Sequence, residues 1–133
     1  MKAVSAKITP GLNLGAVLVA ADNSGAKLVR LVSVKRGKGT KGRQGNARIA
    51  DLVKVSVRKG LPDMRGKVFD AVIIRQKKSY RRLSGERIAF EDNAVALVKD
   101  DKGNPQGTQI KGPVAREVME RWPSVAKIAY TVH

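Results

Sequence analysis

The chain has no cysteine, so disulfides and thiolate metal clusters are excluded, and this composition fits a reducing compartment. Its single histidine is His133. Zinc and similar ions need several His, Cys or carboxylate ligands converging on one point, so no metal site is expected from a lone terminal imidazole. The same shortage leaves a serine nucleophile without an imidazole base, and no serine stands in a G-x-S-x-G turn. Two acid pairs, Glu91 with Asp92 and Asp100 with Asp101, lie in turn-like segments and read as solvated loop acids rather than acid–base machinery. The expectation is a protein with no catalytic residue and no cofactor.

Long apolar runs are missing too. The longest, Gly15 to Ala21 and Ala94 to Val98, fall well short of the roughly 20 residues a membrane helix needs. Lys2 and Lys7 are not followed by an apolar core and a small-residue cleavage site, so no secretory leader is expected and the cytoplasm is the expected location.

Acid is the scarcest resource: 11 Asp and Glu stand against 27 Lys and Arg, a net charge of +16 over 133 residues. The excess is confined to residues 1–90, which hold 21 basic and 5 acidic side chains, whereas residues 91–133 hold 6 of each. From Asn23 to Ala50 there are eight Lys or Arg and no acid. Such self-repulsion is tolerated beside a dense counter-charge, and a phosphate backbone is the densest biological one. Lys35, Arg36, Lys38, Lys41, Arg43 and Arg48 of this stretch are therefore candidate phosphate contacts. A second run follows at Arg75, Lys77, Lys78, Arg81, Arg82 and Arg87.

Gly37 to Gly42 matches G-x-G-x-x-G, but a dinucleotide fingerprint must open an apolar helix, and this segment continues into Arg43, Gln44, Gly45 and Asn46. It reads as a basic loop whose glycines let the backbone approach a surface. Aromatics make up only 4% of the chain. Phe69, Phe90 and Trp122 fall at periodic apolar positions and read as core, while Tyr80 is open to two readings, a base-stacking ring or a packing anchor. A single-strand binder needs several exposed rings, so folded RNA recognised by charge and shape fits better. A nucleotide-using enzyme built on Gly37–Gly42 and a free-standing nucleic-acid chaperone are the rival readings.

The dominant apolar period is two, with frequent Gly and Pro punctuation, which predicts a mainly β, single-domain chain over residues 1–133 folded as a small antiparallel barrel or sandwich. Expected strands cover Ala16 to Ala21, Leu28 to Val34 with a bulge near Val32, Leu52 to Arg58, a central Val68 to Ile74, Ile88 to Phe90 and Ala94 to Val98. Asp22-Asn23-Ser24-Gly25 reads as a turn, with Gly25 accepting positive φ. Lys99 to Gly107 reads as a surface loop. In Leu52 to Arg58, Val53, Val55 and Val57 face a core and Lys54, Ser56 and Arg58 face outward. A helix is expected from Pro113, with Val114, Ala115, Val118, Met119 and Trp122 inward and Arg116, Glu117, Glu120 and Arg121 outward in (i, i+4) pairs. Pro123 stops it, and Ser124 is placed to cap a further turn.

Ala20-Ala21-Asp22-Asn23-Ser24-Gly25-Ala26, Ala71-Val72-Ile73-Ile74-Arg75-Gln76-Lys77-Lys78, Arg81-Arg82, Phe90-Glu91-Asp92-Asn93-Ala94, Gly107-Thr108 and Gly112-Pro113-Val114-Ala115-Arg116-Glu117 occur in one order and spacing. In this the chain resembles the universal large-subunit ribosomal protein L14 family over nearly its whole length. The stretch to Leu14, Ser79-Tyr80-Arg81-Arg82 and Trp122-Pro123 resemble the archaeal and eukaryotic branch, and the lack of cysteine leans toward an archaeon. The resemblance implies a small closed five-stranded β-barrel with a projecting β-ribbon and a short C-terminal helical region, bound to large-subunit rRNA at the intersubunit face. It also implies neighbouring large-subunit ribosomal proteins, small-subunit rRNA through an intersubunit bridge and an anti-association initiation factor as partners. By position, Lys77, Lys78, Arg81 and Arg82 would contact rRNA, and the helix bearing Arg116, Glu120 and Arg121 would face protein partners. Ala20 and the order Val95-Ala96 depart from the family's usual choices as packing exchanges, and the tail from Lys127 to His133 lacks the expected glycine-containing ending.

Overall fold

Five apolar segments curl until the last meets the first, and everything else is arranged around that closure. The computed structural model describes residues 8–35 and 45–133. In chain order the elements are β1 (Leu12–Asn13), β2 (Val17–Ala20), β3 (Ala26–Val34), β4 (Asn46–Ala47), β5 (Leu52–Gly60), β6 (Val68–Arg75), β7 (Tyr80–Arg81), β8 (Arg87–Ile88), β9 (Ala94–Val98), β10 (Ile110–Val114), α1 (Arg116–Arg121), α2 (Pro123–Ala126) and β11 (Ala129–Val132). The closed barrel runs β2-β3-β5-β6-β9. Its first four pairings are antiparallel, as the alternation predicts, but the closing pair β9–β2 is parallel, with Val19 beside Ala94. A closed sheet leaves no edge, so β6 is central only in lying between β5 and β9.

Val53, Val55 and Val57 are buried and Lys54 and Arg58 exposed, as a half-buried strand requires. The register slips between Leu31 and Ser33, so the bulge expected near Val32 is present, and Val32 points outward. Every residue of β9 is buried, because the barrel interior takes one face and the C-terminal segment covers the other. That segment is tied on by Lys111 N–H donating to the Ala21 carbonyl at 2.7 Å and Ala115 N–H donating to that of Ile74 at 3.1 Å.

The Asp22–Gly25 turn forms, with Gly25 at φ +107°, and it does more than reverse the chain. Asn23 Oδ1 accepts the Thr108 N–H at 2.7 Å and Gln109 N–H at 3.2 Å, while Asp22 Oδ1 accepts the Ser24 hydroxyl at 2.8 Å and Oδ2 the Leu97 N–H at 2.9 Å. These short polar side chains therefore clamp the first turn to β9 and the 107–110 segment. Burial raises the Asp22 pKa above its ordinary 3.8, opposed by the bonds from Ser24 and Leu97. The folded chain then holds this proton more tightly than the unfolded one, so its contribution to stability falls as pH rises from the ordinary carboxylate range through the raised value. Asp22→Asn should remove that component. Urea midpoints taken across about pH 4 to 7 should drop for the parent relative to the variant, and parallel curves would assign the proton elsewhere.

The C-terminal helix differs from expectation. Pro113 and Val114 belong to β10, which pairs in parallel with β11, so α1 begins at Arg116. With six residues it presents Val118 to the core together with the following Trp122, but Met119 is 46% exposed. Glu117 and Arg121, expected outside, are buried. Pro123 opens α2 rather than only ending α1, Ser124 lies inside α2, and no side chain caps that helix. Of the strand expected at Ile88 to Phe90 only Ile88 is in a strand, the two-residue β8, paired with β7. The Lys99–Gly107 loop forms, with Asp100 accepting the N–H groups of Lys102 and Asn104, so this acid is a turn-forming residue. The expected basic loop, with Arg36, Lys38, Lys41, Arg43 and the Gly37–Gly42 motif, lies outside the described residues.

Candidate nucleic-acid interface

A cation can serve an outside phosphate only if no internal carboxylate holds it, and by that measure the two basic runs divide sharply. Arg75 is 7% exposed: Nε donates to Asp92 Oδ1 at 2.8 Å, and Nη1 donates to the carbonyls of Lys111 at 2.8 Å and Pro113 at 3.1 Å. Arg82 Nε donates to Glu117 Oε1 at 2.8 Å, and its Nη2 reaches Glu117 Oε2 at 3.4 Å and the Tyr80 hydroxyl oxygen at 3.2 Å. Arg121 Nη1 donates to Asp51 Oδ1 at 3.3 Å. In each pair the arginine is nearly enclosed, and a buried charge demands a partner of opposite sign.

Two expected assignments change as a result. Arg82 joins β7 to α1 and is a structural residue rather than a phosphate contact. Arg121 is buried against Asp51 instead of lying on a partner surface. Tyr80 is fully buried and donates to Glu117 Oε2 at 2.8 Å, so it anchors packing and no base can stack on it. Burial raises its pKa, and the hydrogen bond to Glu117 raises it further, keeping the phenol protonated as a donor.

What remains outside is the other half of the second run. Lys77, Lys78, Arg81 and Arg87 are exposed. The Lys77 backbone N–H donates to Asn93 Oδ1 at 2.7 Å, while Gln76, buried beneath, donates Nε2 to the carbonyls of Thr9 and Lys78. These bonds fix the lysine-bearing backbone and leave the ammonium groups in solvent. Arg81 and Arg87 are direct cross-strand neighbours in the β7–β8 hairpin, a like-charged juxtaposition that weakens an isolated hairpin. In the first run, Lys35 is exposed and shares the Asp70 carboxylate with Lys54 at 3.8 and 3.5 Å. The Asp70 side chain is largely covered, but the Lys35 ammonium lies at the surface and its contact is the longer of the two, so Lys35 is the partner that can turn to another anion. Arg48 is half-buried and its Nη1 holds the Ile8 carbonyl at 3.2 Å. Arg116 is exposed at the rim of an open cleft of about 940 Å³ that also meets Glu86, Phe90 and His133, and Glu120 is half-buried.

Sequence reading missed a third group. Lys27, Arg58, Lys59 and Arg65 are exposed and border one shallow depression of about 340 Å³. Nothing in the primary order joins them, because their convergence depends on strand register. Among the described residues no group of His, Cys, Asp and Glu is arranged to hold a metal ion, and no helix is long and apolar enough to cross a membrane.

Comparison with known proteins gives one consistent match over nearly the whole chain. The family model described as Ribosomal protein L14p/L23e matches residues 11–133. The chain is 61% identical over 129 residues to the large ribosomal subunit protein uL14 of Nanoarchaeum equitans, and 54% identical over 129 residues to that of Methanothrix thermoacetophila, covering 97% of each chain in both cases. It is 47% identical to the protein of the same name from Methanococcus vannielii over 133 residues, the full length of both.

Proposed function

We propose, from the premise that the chain belongs to the ribosomal protein L14p/L23e family, that it is a non-catalytic structural constituent of the large ribosomal subunit in the cytoplasm, bound to large-subunit rRNA. The observation that carries the RNA-binding part is the opposed pair Arg81 and Arg87, flanked by Lys77 and Lys78, with none of the four in an ion pair with a carboxylate among the described residues. A phosphate lying between two facing guanidinium groups converts their repulsion into two charge-assisted contacts. Lys35, Arg36, Lys38, Lys41 and Arg43 are proposed as further phosphate contacts, and positioning by phosphate rather than base reading suits so uniform a chemistry. The inward arginines support the division of labour, since their charges stabilise the scaffold and the exposed ones stay available.

Neighbouring large-subunit proteins, small-subunit rRNA across an intersubunit bridge and an anti-association initiation factor complete the proposed set of partners. Arg116 and Glu120 are the polar side chains of α1 proposed to face a protein. The test is sedimentation of a cell lysate containing the tagged chain. Co-migration with large subunits is the expected result, and a pool confined to the top of the gradient would favour a free-standing nucleic-acid chaperone instead.

A further inference from the structure

The geometry points to a second rRNA phosphate-docking site, formed by Lys27, Arg58, Lys59 and Arg65 on the barrel wall, separate from the β7–β8 hairpin. This inference rests on the rRNA-binding reading above and assigns it a place to which the first basic run contributes only Lys27 and the second run nothing.

A regular strand sends successive side chains to opposite faces, so Arg58 and Lys59 could not both point outward from an unbroken β5. The register supplies the answer. Val29 pairs with Val57 and Leu28 with Lys59, which leaves Arg58 as an extra residue on β5. One step further, Leu28 pairs with Lys59 and Ala26 with Gly60, which leaves Lys27 as an extra residue on β3. Two bulges thus face each other in adjacent strands, and the extra residue of each is a cation re-aimed toward solvent. Gly60, at φ +155°, lets the strands meet this closely, since a Cβ there would stand 2.6 Å from the Gly25 carbonyl oxygen.

The loop after β5 delivers the fourth charge. Leu61 N–H donates to the Gly25 carbonyl, Arg65 N–H to that of Leu61 and Gly66 N–H to that of Val57, so the chain turns back at once and sets Arg65 beside the strand it has just left. All four cations line the same depression. No carboxylate lies within ion-pair distance of any of them among the described residues, whereas Lys35 and Lys54, toward the other end of the same two strands, already face Asp70. Four converging positive charges without a counter-charge repel one another, and a phosphate group in the depression relieves that repulsion. Bulges that display cations in this way fit a backbone-docking role, because phosphate contacts fix register and orientation without reading sequence.

The test compares the parent, Arg58→Ala with Arg65→Ala, and Lys77→Ala with Lys78→Ala, each titrated with in-vitro transcribed archaeal large-subunit rRNA over a range of salt. The Arg58/Arg65 variant should keep its circular dichroism spectrum and thermal midpoint, since both side chains are exposed. Its slope of log K against log salt should become shallower by about 2, with affinity lower by on the order of tenfold to a hundredfold at about 0.1 M salt. Lys27→Glu serves as a second variant, expected to weaken binding in the same direction. A parent with a steep slope and Arg58/Arg65 and Lys27→Glu variants that match it would overturn this site, assign the cluster to an acidic protein partner and leave the hairpin reading intact. A shallow slope in the parent itself would overturn both.

Discussion

Replacing Glu117 with Ala should lower the unfolding free energy by about 3–5 kcal/mol, because it strands a buried guanidinium without its counter-charge. Glu117 is 3% exposed and its two oxygens receive Arg82 Nε, Arg82 Nη2 and the Tyr80 hydroxyl. Removing the carboxylate leaves all these donors facing protein, and domains of this size are stable by only about 5–15 kcal/mol. Urea denaturation monitored by far-ultraviolet circular dichroism measures the change. Glu117→Gln, which keeps an acceptor for Tyr80 but loses the charge, should fall between the parent and the alanine variant. The triple replacement Tyr80→Phe, Arg82→Met, Glu117→Met should recover most of the loss, since no unpaired polar group would remain. A loss below about 1 kcal/mol in Glu117→Ala would mean that Arg82 escapes to solvent, as exposed pairs do.

The same arrangement separates two neighbours that look alike in sequence. Arg81→Ala should weaken rRNA binding and leave the fold intact, whereas Arg82→Ala should act through stability.

Trp122→Ala should cost a comparable amount, about 3–5 kcal/mol, through loss of the largest side chain in the core and the cavity it leaves. Trp122 is 2% exposed and its Nε1–H donates to the Ala50 carbonyl at 2.8 Å. Ala50 has φ +69°, a left-handed conformation that an alanine adopts only under constraint, and its own N–H donates to the Ile73 carbonyl. The indole thus fastens the end of α1 to the bend that starts β5. Its other face covers Gly103, where a Cβ would stand 2.5 Å from Cε3 and where φ is +90°. Trp122→Phe should retain much of the packing and lose about 1–2 kcal/mol by leaving the Ala50 carbonyl without its donor. Thermal and urea unfolding of both variants would show the difference. Equal losses would indicate that the hydrogen bond, rather than ring volume, dominates.

What the sequence made legible was whatever depends on neighbours along the chain. Val53, Val55 and Val57 announce a half-buried strand because a side-chain period of two needs no partner to be seen. The Asp22–Gly25 turn and the Val32 bulge are local in the same sense. The parallel closure of β9 on β2 was not legible, since it joins Val19 to Ala94 across most of the chain. Nor was the inward turn of Arg82, whose carboxylate lies 35 residues away, or of Arg121, whose carboxylate lies 70 away. A charge run reports composition, and only tertiary pairing decides which of its members reach solvent. The cluster of Lys27, Arg58, Lys59 and Arg65 escaped notice for a related reason: its two re-aimed residues depend on a register slip between two strands. Met119 was misplaced because β10 takes up Pro113 and Val114, moving the start of the helix and with it the buried face.

The most direct measurement is the salt dependence of binding to large-subunit rRNA by the unmodified protein. If its exposed lysines and arginines each displace counterions from phosphates, affinity should fall by about a thousandfold or more between about 50 and 200 mM salt, with log K linear in log salt. An affinity that stays level across that range would contradict the proposal that this cationic barrel is held to RNA through its backbone.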